Sequence, residues 1–233
     1  QMCLLVYDKN GSLLHTYNEF WKLAADITIN PMAEATHKIS KQMLDEQGID
    51  PEVEIVKTIY VFQTLLKRNI SLVAHNASFD RQWVEAALRK NGQVVPSDVI
   101  WCCSMTQVDW NSICRASKAL EVLCAWHGFF YDSHNAAADV DATLHLLRKD
   151  SYMKTMLENA MQPDYHVFAA GSQRDENHLL KQRRYRWNPE LGCWWKAVNN
   201  LQEAEKESSW LSENLQKCEP QHFEIEPQHR FTT

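Results

Sequence analysis

Long apolar runs are missing from this 233-residue sequence, and glycine is scarce. The longest uninterrupted apolar run, Met2–Tyr7, is far shorter than the roughly 20 residues that a helix needs to span a bilayer. We therefore expect no segment that crosses a membrane. Only 6 glycines are present, and neither a repeat period nor a heptad register is visible, which excludes collagen, coiled coils and solenoid arrays.

The cysteine spacing and the net charge of the chain limit its possible function classes further. The chain has 7 cysteines, an odd number, and none follow the paired C-x-x-C spacing of a zinc site. This usage favours a reducing, cytoplasmic location. The formal net charge of -6 argues against a protein that coats nucleic acid non-specifically. It leaves open an enzyme that binds nucleic acid through a local patch and metal ions.

The first 150 residues predict a hairpin followed by β–α alternation. Asn10-Gly11 lies between Met2–Tyr7 and the β-forming residues 12–20, and Asn-Gly is a strong hairpin signal because a type I′ turn needs positive φ at both central positions. Residues 25–30 are expected to add another strand. Apolar periodicity then predicts helices at residues 51–68, 78–90, 120–126 and 136–148, and strands at residues 70–74 and 99–103. The expected fold class is α/β, a mixed sheet flanked by helices.

The composition changes near Gln162. Beyond it, basic residues alternate with tryptophan and tyrosine around a turn at residues 188–192, and an acidic helix is predicted over residues 201–215. We expect a small aromatic hairpin and helix module. The predicted organisation is one domain at residues 1–162, an accessory module at 163–217 and a tail at 218–233.

The sequence His75-Asn76-Ala77-Ser78-Phe79-Asp80 marks the end of a predicted buried strand and the start of a helix. An acid there lies at the edge of a sheet, where open α/β folds bind ligands. The alternative is structural: Asp80 favours the first helical turn through the helix dipole, and Ser78 caps it.

A second group, His134-Asn135-Ala136-Ala137-Ala138-Asp139, also precedes a predicted helix. Inside one helix, five residues of separation would place His134 and Asp139 roughly 140° apart. A joint role therefore needs His134 on the preceding loop and Asp139 in the first turns. The alternative is a capping histidine with solvated acids.

Taken together, H-N-x-x-F-D and then H-x-A-x-x-D, in this order and on these elements, resemble the second and third motifs of the DEDDh exonucleases. Segments between them are also similar, namely Val73-Ala74 entering the second motif, residues 100–105, and residues 118–120. The resemblance covers roughly residues 1–150. It implies a ribonuclease H-like fold, two divalent metal ions and removal of nucleotides from a 3′ end.

The first motif of that family, D-x-E on the first strand, is absent from the sequence. Asp50-Pro51-Glu52 has the right letters, but it follows residues 36–39, which resemble a later stretch of the family, so we reject it. The resemblance implies that the motif lies about a dozen residues before the strand that Met2–Tyr7 resembles. We expect its Asp and Glu to lie upstream of Gln1. The alternative is a degenerate, catalytically silent relative that binds nucleic acid.

The resemblance assigns roles to three residues. Asp80 and Asp139 would bind two Mg²⁺ or Mn²⁺ ions, since hard cations prefer carboxylate oxygens. His134 would take the proton from the attacking water as a general base. The implied substrate is single-stranded DNA or a 3′ DNA end. RNA stays open, because discrimination rests on contacts to the 2′-OH that motifs do not encode. A polymerase partner also stays open.

The C-terminal module carries further candidates for nucleic-acid contact. Aromatic rings could stack on unpaired bases, but tryptophan in so small a unit is more often core, so we assign Trp187 and Trp194 to the core. Arg184 and Arg186 are the predicted nucleic-acid-binding residues.

Overall fold

In the computed structural model, the chain packs as two compact units, Gln1–Leu157 with Phe231 (unit 1) and Glu158–Arg230 (unit 2). The three-part domain division that the sequence predicts stays a prediction. Among the residues described, no helix is both long and apolar enough to cross a bilayer. The structure describes residues 1–8, 10–68, 70–94, 96, 98–114 and 116–231.

Unit 1 begins with an antiparallel pair, β1 (Met2–Tyr7) and β2 (Leu13–Glu19), in which Met2 pairs with Glu19. Gly11 has φ 84°, and the Asp8 carboxylate accepts hydrogen bonds from the Asn10 and Ser12 amides at 2.8 Å. The predicted hairpin is confirmed. Its predicted type I′ geometry depends on residue 9, which lies outside the described residues.

Residues 25–30, expected as a strand, instead form a turn and irregular backbone, so that prediction is wrong. The Asn30 side chain accepts a hydrogen bond from the Met32 amide at 2.8 Å and caps α1 (Pro31–His37), whose first residue is proline. The local cap thus determines the backbone before Pro31. A second short helix, α2 (Lys41–Gln47), follows.

The central part of unit 1 alternates helices and strands as predicted. Its elements are α3 (Pro51–Lys67), β3 (Leu72–Ala74), α4 (Ala77–Lys90) and β4 (Trp101–Cys103). β3 and β4 are parallel, with Leu72 opposite Trp101. These side chains pack with Phe62 and Leu65 of α3 into one core. Parallel and antiparallel pairs flanked by helices confirm the mixed α/β, ribonuclease H-like class.

Three helices complete this part of the chain: α5 (Leu120–Trp126), α6 (Ala136–Leu147) and α7 (Tyr152–Ala160). α6 contacts both α5 and β1. Leu146 and Leu147 are fully buried, so one face of α6 is anchored in the protein interior while its first turn stays at the surface.

In chain order, unit 2 contains β5 (Asp164–Ala170), α8 (Asn177–Gln182), β6 (Arg186–Asn188), β7 (Cys193–Val198), α9 (Leu201–Asn214) and β8 (Glu219–Ile225). Its strands form a four-stranded antiparallel sheet of order β6-β7-β5-β8, covered by helix α9. Buried side chains of β5, β7, α8 and α9 form its core, among them Val167, Trp194, Leu180 and Leu211.

Strand β8 lies in the stretch that we expected to be a tail. It pairs with β5 along seven residues, from Asp164 opposite Ile225 to Ala170 opposite Glu219. Most of its side chains are exposed, so the sequence shows no apolar alternation there. Backbone hydrogen bonds to β5, rather than side-chain burial, order this segment.

Candidate active site

The second motif lies at the turn between β3 and α4. Asn76 has φ 74°, in the left-handed region that asparagine tolerates better than most residues. The Phe79 amide donates to the Asn76 carbonyl at 2.8 Å, so α4 begins at once and Asp80 lies in its first turn. The chain therefore carries Asp80 to the carboxyl end of β3, as the sequence predicts.

The third motif lies at the start of α6. The Asn135 side chain accepts from the amides of Ala137 and Ala138 at 3.1 and 3.3 Å and caps the helix. His134 precedes the cap on an exposed loop with φ 67°, and Asp139 lies in the first turn. The His134 amide donates to the Asp139 carboxylate at 3.3 Å. The two residues thus have the loop and helix positions that a joint role requires.

Asp80 and Asp139 interact through space although they are far apart in the sequence. Burial raises the pKa of Asp80 to about 6, and the negative charge of Asp139 adds to that rise against the opposing hydrogen bond from the Asp80 amide. A divalent cation shared by the two carboxylates would remove this repulsion. The donor set therefore suits a hard metal ion.

The residues available for such an ion are limited in the described ranges. Among them, no group of three or more His, Cys, Asp and Glu side chains is arranged to hold a metal ion. Asp80 and Asp139 would supply two carboxylates, and the resemblance implies four. Asp80 and Asp139 therefore supply half of the carboxylates that the implied two-metal site needs.

Both ring nitrogens of His75 form hydrogen bonds within the protein, which gives this residue a structural role. Its Nε2 lies 2.8 Å from the Lys118 carbonyl oxygen, which can only accept, so Nε2 carries the proton. Nδ1 then accepts from the Ser104 hydroxyl at 2.8 Å. Burial lowers the pKa of His75 despite the opposing charges of Asp139 and Glu121, which favours this neutral form. His75 ties β3 to the segments after β4 and before α5.

Tyr131 and Glu121 act at the candidate site, but the sequence alone did not predict either residue. Burial raises the pKa of the Tyr131 phenol, and the charge of Asp139 and a hydrogen bond to its carboxylate raise it further. The charge of Glu121 acts on His75, Tyr131 and the Cys124 thiol, whose pKa rises to about 11 mainly through burial. Neither residue belongs to a motif, so only their positions in the folded chain identify them.

Arg184 and Arg186, the predicted nucleic-acid contacts, lie in unit 2 and are exposed. Trp194 is buried in the core of that unit, as predicted. The core prediction for Trp187 is wrong: 51% of its surface is exposed, because β6 is a three-residue edge strand with nothing beyond it in the sheet.

Comparison with known proteins identifies the family of this chain. No curated protein is similar enough to the chain to be matched. Residues 8–147, more than half of the chain, match the family model described as exonuclease, of the RNase T type, and this match spans both motifs. Members of that family act on nucleic acid and generally use divalent metal ions. The chain belongs to the DEDDh exonuclease superfamily.

Proposed function

We propose that this protein is a metal-dependent 3′-to-5′ exonuclease that releases nucleotides from DNA ends. The observation that carries the proposal is that Asp80 and Asp139, each in the first turn of a different helix, lie close enough for the charge of Asp139 to raise the pKa of Asp80. The position of His134 on the loop hydrogen-bonded to Asp139 supports it.

In this proposal, the chain's own residues bind the metal, orient the nucleophile and move a proton. Asp80 and Asp139 would hold the divalent ions, which when bound activate water and stabilise charge on the leaving 3′ oxygen. His134 accepts the proton of the attacking water as a general base. The hydrogen bond from its amide to Asp139 keeps the loop beside the carboxylate.

A single-stranded DNA labelled at its 5′ end tests direction and substrate together. The test uses the 233-residue chain and a version extended before Gln1 by a strand that carries D-x-E. Each version is assayed with Mg²⁺ and with Mn²⁺. Removal from the 3′ end yields a ladder of shortened products that keep the label. Immediate release of labelled mononucleotide would instead show the opposite direction, and cleavage of neither DNA nor a matched RNA by either version would overturn the proposal.

A catalytically silent, nucleic-acid-binding relative is the second candidate. The lack of a three-ligand metal cluster among the described residues favours it. The same assay decides between the two, because the silent relative cleaves nothing even after the D-x-E strand is added. Preference for the RNA strand would instead identify a ribonuclease of the superfamily.

A further inference from the structure

The sheet of unit 2 has two faces with different surroundings. Side chains alternate along β5, so Val167 and Ala169, which are 0% and 1% exposed, lie on the face that packs against α9. His166 and Phe168 therefore lie on the opposite face.

Strand register places more aromatic rings on this opposite face. Trp195 of β7 is opposite Phe168, and Phe223 of β8 is opposite His166. The ring centroids of His166 and Trp195 are 4.6 Å apart, and those of Phe168 and Phe223 are 5.8 Å apart. On the edge strand β6, Arg186 is opposite Trp195. We call these five residues the aromatic face.

The rings of the aromatic face are accessible. Phe223 is 54% exposed, and His166, Phe168 and Trp195 are each partly exposed. A contiguous group of at least partly exposed aromatic side chains is typical of a binding surface, whereas single exposed apolar residues are ordinary. Flat rings suit a partner that is itself flat.

Arg186, which is opposite Trp195, and Arg184, two residues before it, are available to a partner. Arg184 and Arg186 are exposed, and neither forms an ion pair with any residue that the structure describes. The neighbouring Arg183 and Lys196 differ, since both bind Glu207 at 2.8 Å. Arg186 thus brings positive charge to the β6 edge of the aromatic face, and Arg184 precedes it by two residues in the chain.

The acids on the same face lie along its other strands. Asp164 is paired with Arg230 at 2.6 Å, which offsets its charge. Glu219 is opposite Ala170, at the end of β8 far from His166 and Phe223. The face therefore combines exposed rings with positive charge at one edge.

We propose that the aromatic face binds single-stranded nucleic acid, with unpaired bases stacked on its rings and phosphates contacted by Arg184 and Arg186. Aromatic rings on a four-stranded sheet stack unpaired bases, and each base has a π-face. A duplex cannot bind in this way, because its paired bases are stacked on their neighbours and their faces are not available to the rings. This inference rests on the proposed function only in that the protein acts on nucleic acid.

Fluorescence anisotropy of a labelled 20-nucleotide oligothymidylate tests the proposal, with the full chain in EDTA so that no metal-dependent cleavage occurs. Wild type should bind the single strand more tightly than a duplex of the same length. Phe223→Ala and Trp195→Ala should each weaken binding by about 5- to 100-fold. Phe223→Leu, which keeps an apolar side chain but loses the ring, should weaken it similarly.

The matched controls lie on the other side of the same sheet. Trp187→Ala removes an exposed tryptophan from the opposite face, and Lys206→Gln removes a cation from α9; both should change the affinity less than twofold. Equal losses in Trp187→Ala and Trp195→Ala would overturn the proposal, as would unchanged binding in all ring variants or no binding by wild type. Thermal melting of every variant excludes loss of fold as the cause.

The binding and cleavage assays can fail separately. Ring-dependent binding without cleavage would support the aromatic face and contradict the exonuclease. Cleavage, together with binding that the ring variants leave unchanged, would support the exonuclease and contradict the aromatic face. Ring variants that alter self-association in sedimentation, without altering oligonucleotide binding, would assign the face to a second copy and overturn the proposal.

Discussion

The left-handed backbone of His134 determines which substitution isolates its chemistry. Any residue with a Cβ bears about 1–2 kcal/mol of strain at φ 67°, and asparagine tolerates this conformation better than alanine while it cannot act as a base. In a version that cleaves, we expect His134→Asn to slow hydrolysis by roughly 10²- to 10⁴-fold. Melting should be nearly unchanged, because the side chain is exposed. The measurement is nucleotide release with melting in parallel.

The control for His134 is Asp139, the neighbouring residue that we propose as a metal ligand. Asp139→Asn should also lose activity, but through metal loss, so excess Mn²⁺ should partly restore it. Metal should not rescue His134→Asn, since the missing step there is proton transfer. Full activity in His134→Asn would show that the residue only shapes the loop before α6.

Glu207 accepts hydrogen bonds from three side chains of unit 2. Arg183 and Lys196 each donate at 2.8 Å and Tyr185 at 3.2 Å. Burial by itself would raise the pKa of Glu207, but the hydrogen bonds and charges of Arg183 and Lys196 outweigh burial and lower it. The folded-state pKa thus lies below the unfolded value of roughly 4.3. The stability from the ionised carboxylate is present above that value and lost as pH falls through the folded-state pKa.

Glu207→Gln should therefore destabilise unit 2 in a pH-dependent way. At pH 7 we expect a loss of about 1–2 kcal/mol, less than for a fully buried pair because Arg183 and Lys196 are 35% and 25% exposed. The difference from wild type should shrink below about pH 4. Urea unfolding at several pH values measures it, with the exposed Glu213→Gln on the same helix as control. A pH-independent difference would mean that packing, not charge, is lost.

At the scale of elements, unit 1 holds two separate strand pairs in the part that the structure describes, β1 with β2 and β3 with β4. Two carboxylates hold two dications less well than four, so we expect the 233-residue chain to show little or no nuclease activity with Mg²⁺ or Mn²⁺. Extension before Gln1 by a strand carrying D-x-E should raise the activity, and the matched N-x-Q extension should not.

Robust metal-dependent cleavage by the unextended chain would contradict this expectation and require another acid in place of the first motif. Glu121 is the first to substitute in that case, because its charge acts on the same residues as that of Asp139. Glu121→Gln should then abolish the cleavage.

Elements with strong local signals were predictable. α5 has the predicted bounds, and α4 and α6 differ from prediction by one residue at one end, because apolar periodicity and end signals are encoded locally. β8 was missed because its side chains are largely exposed and only pairing with β5 orders it. Residues 25–30 were mistaken for a strand because the cap at Asn30 competes with their β propensity.

Some residues of the candidate site could likewise be predicted from local sequence, and others could not. Asp80, His134 and Asp139 could be predicted, since each lies within a motif at a strand end or a helix start. Glu121 and Tyr131 could not, because their approach to Asp139 depends on how α5 and the following loop pack. The aromatic face was equally hidden, since it is formed by register across four strands.

At the scale of the whole molecule, net charge opposes the proposed ligand. The chain carries 30 acidic and 24 basic residues, so its long-range field does not attract nucleic acid. Affinity must therefore come from short-range contacts, and stacking on rings is insensitive to salt. If the phosphate contacts are those of Arg184 and Arg186, few counterions are released on binding. The salt dependence of binding should then be shallow.

For two phosphate contacts on a single strand, the logarithm of the binding constant should fall against the logarithm of salt concentration with a slope of about -1.4. Replacing both Arg184 and Arg186 by Gln should bring the slope towards zero. Phe223→Ala should lower affinity at every salt concentration and leave the slope unchanged, because it removes stacking and no charge. Anisotropy titrations in EDTA across a range of KCl concentrations measure both quantities. A slope several times steeper in wild type would show that more cations contact the strand than these two arginines, and that binding is mainly electrostatic.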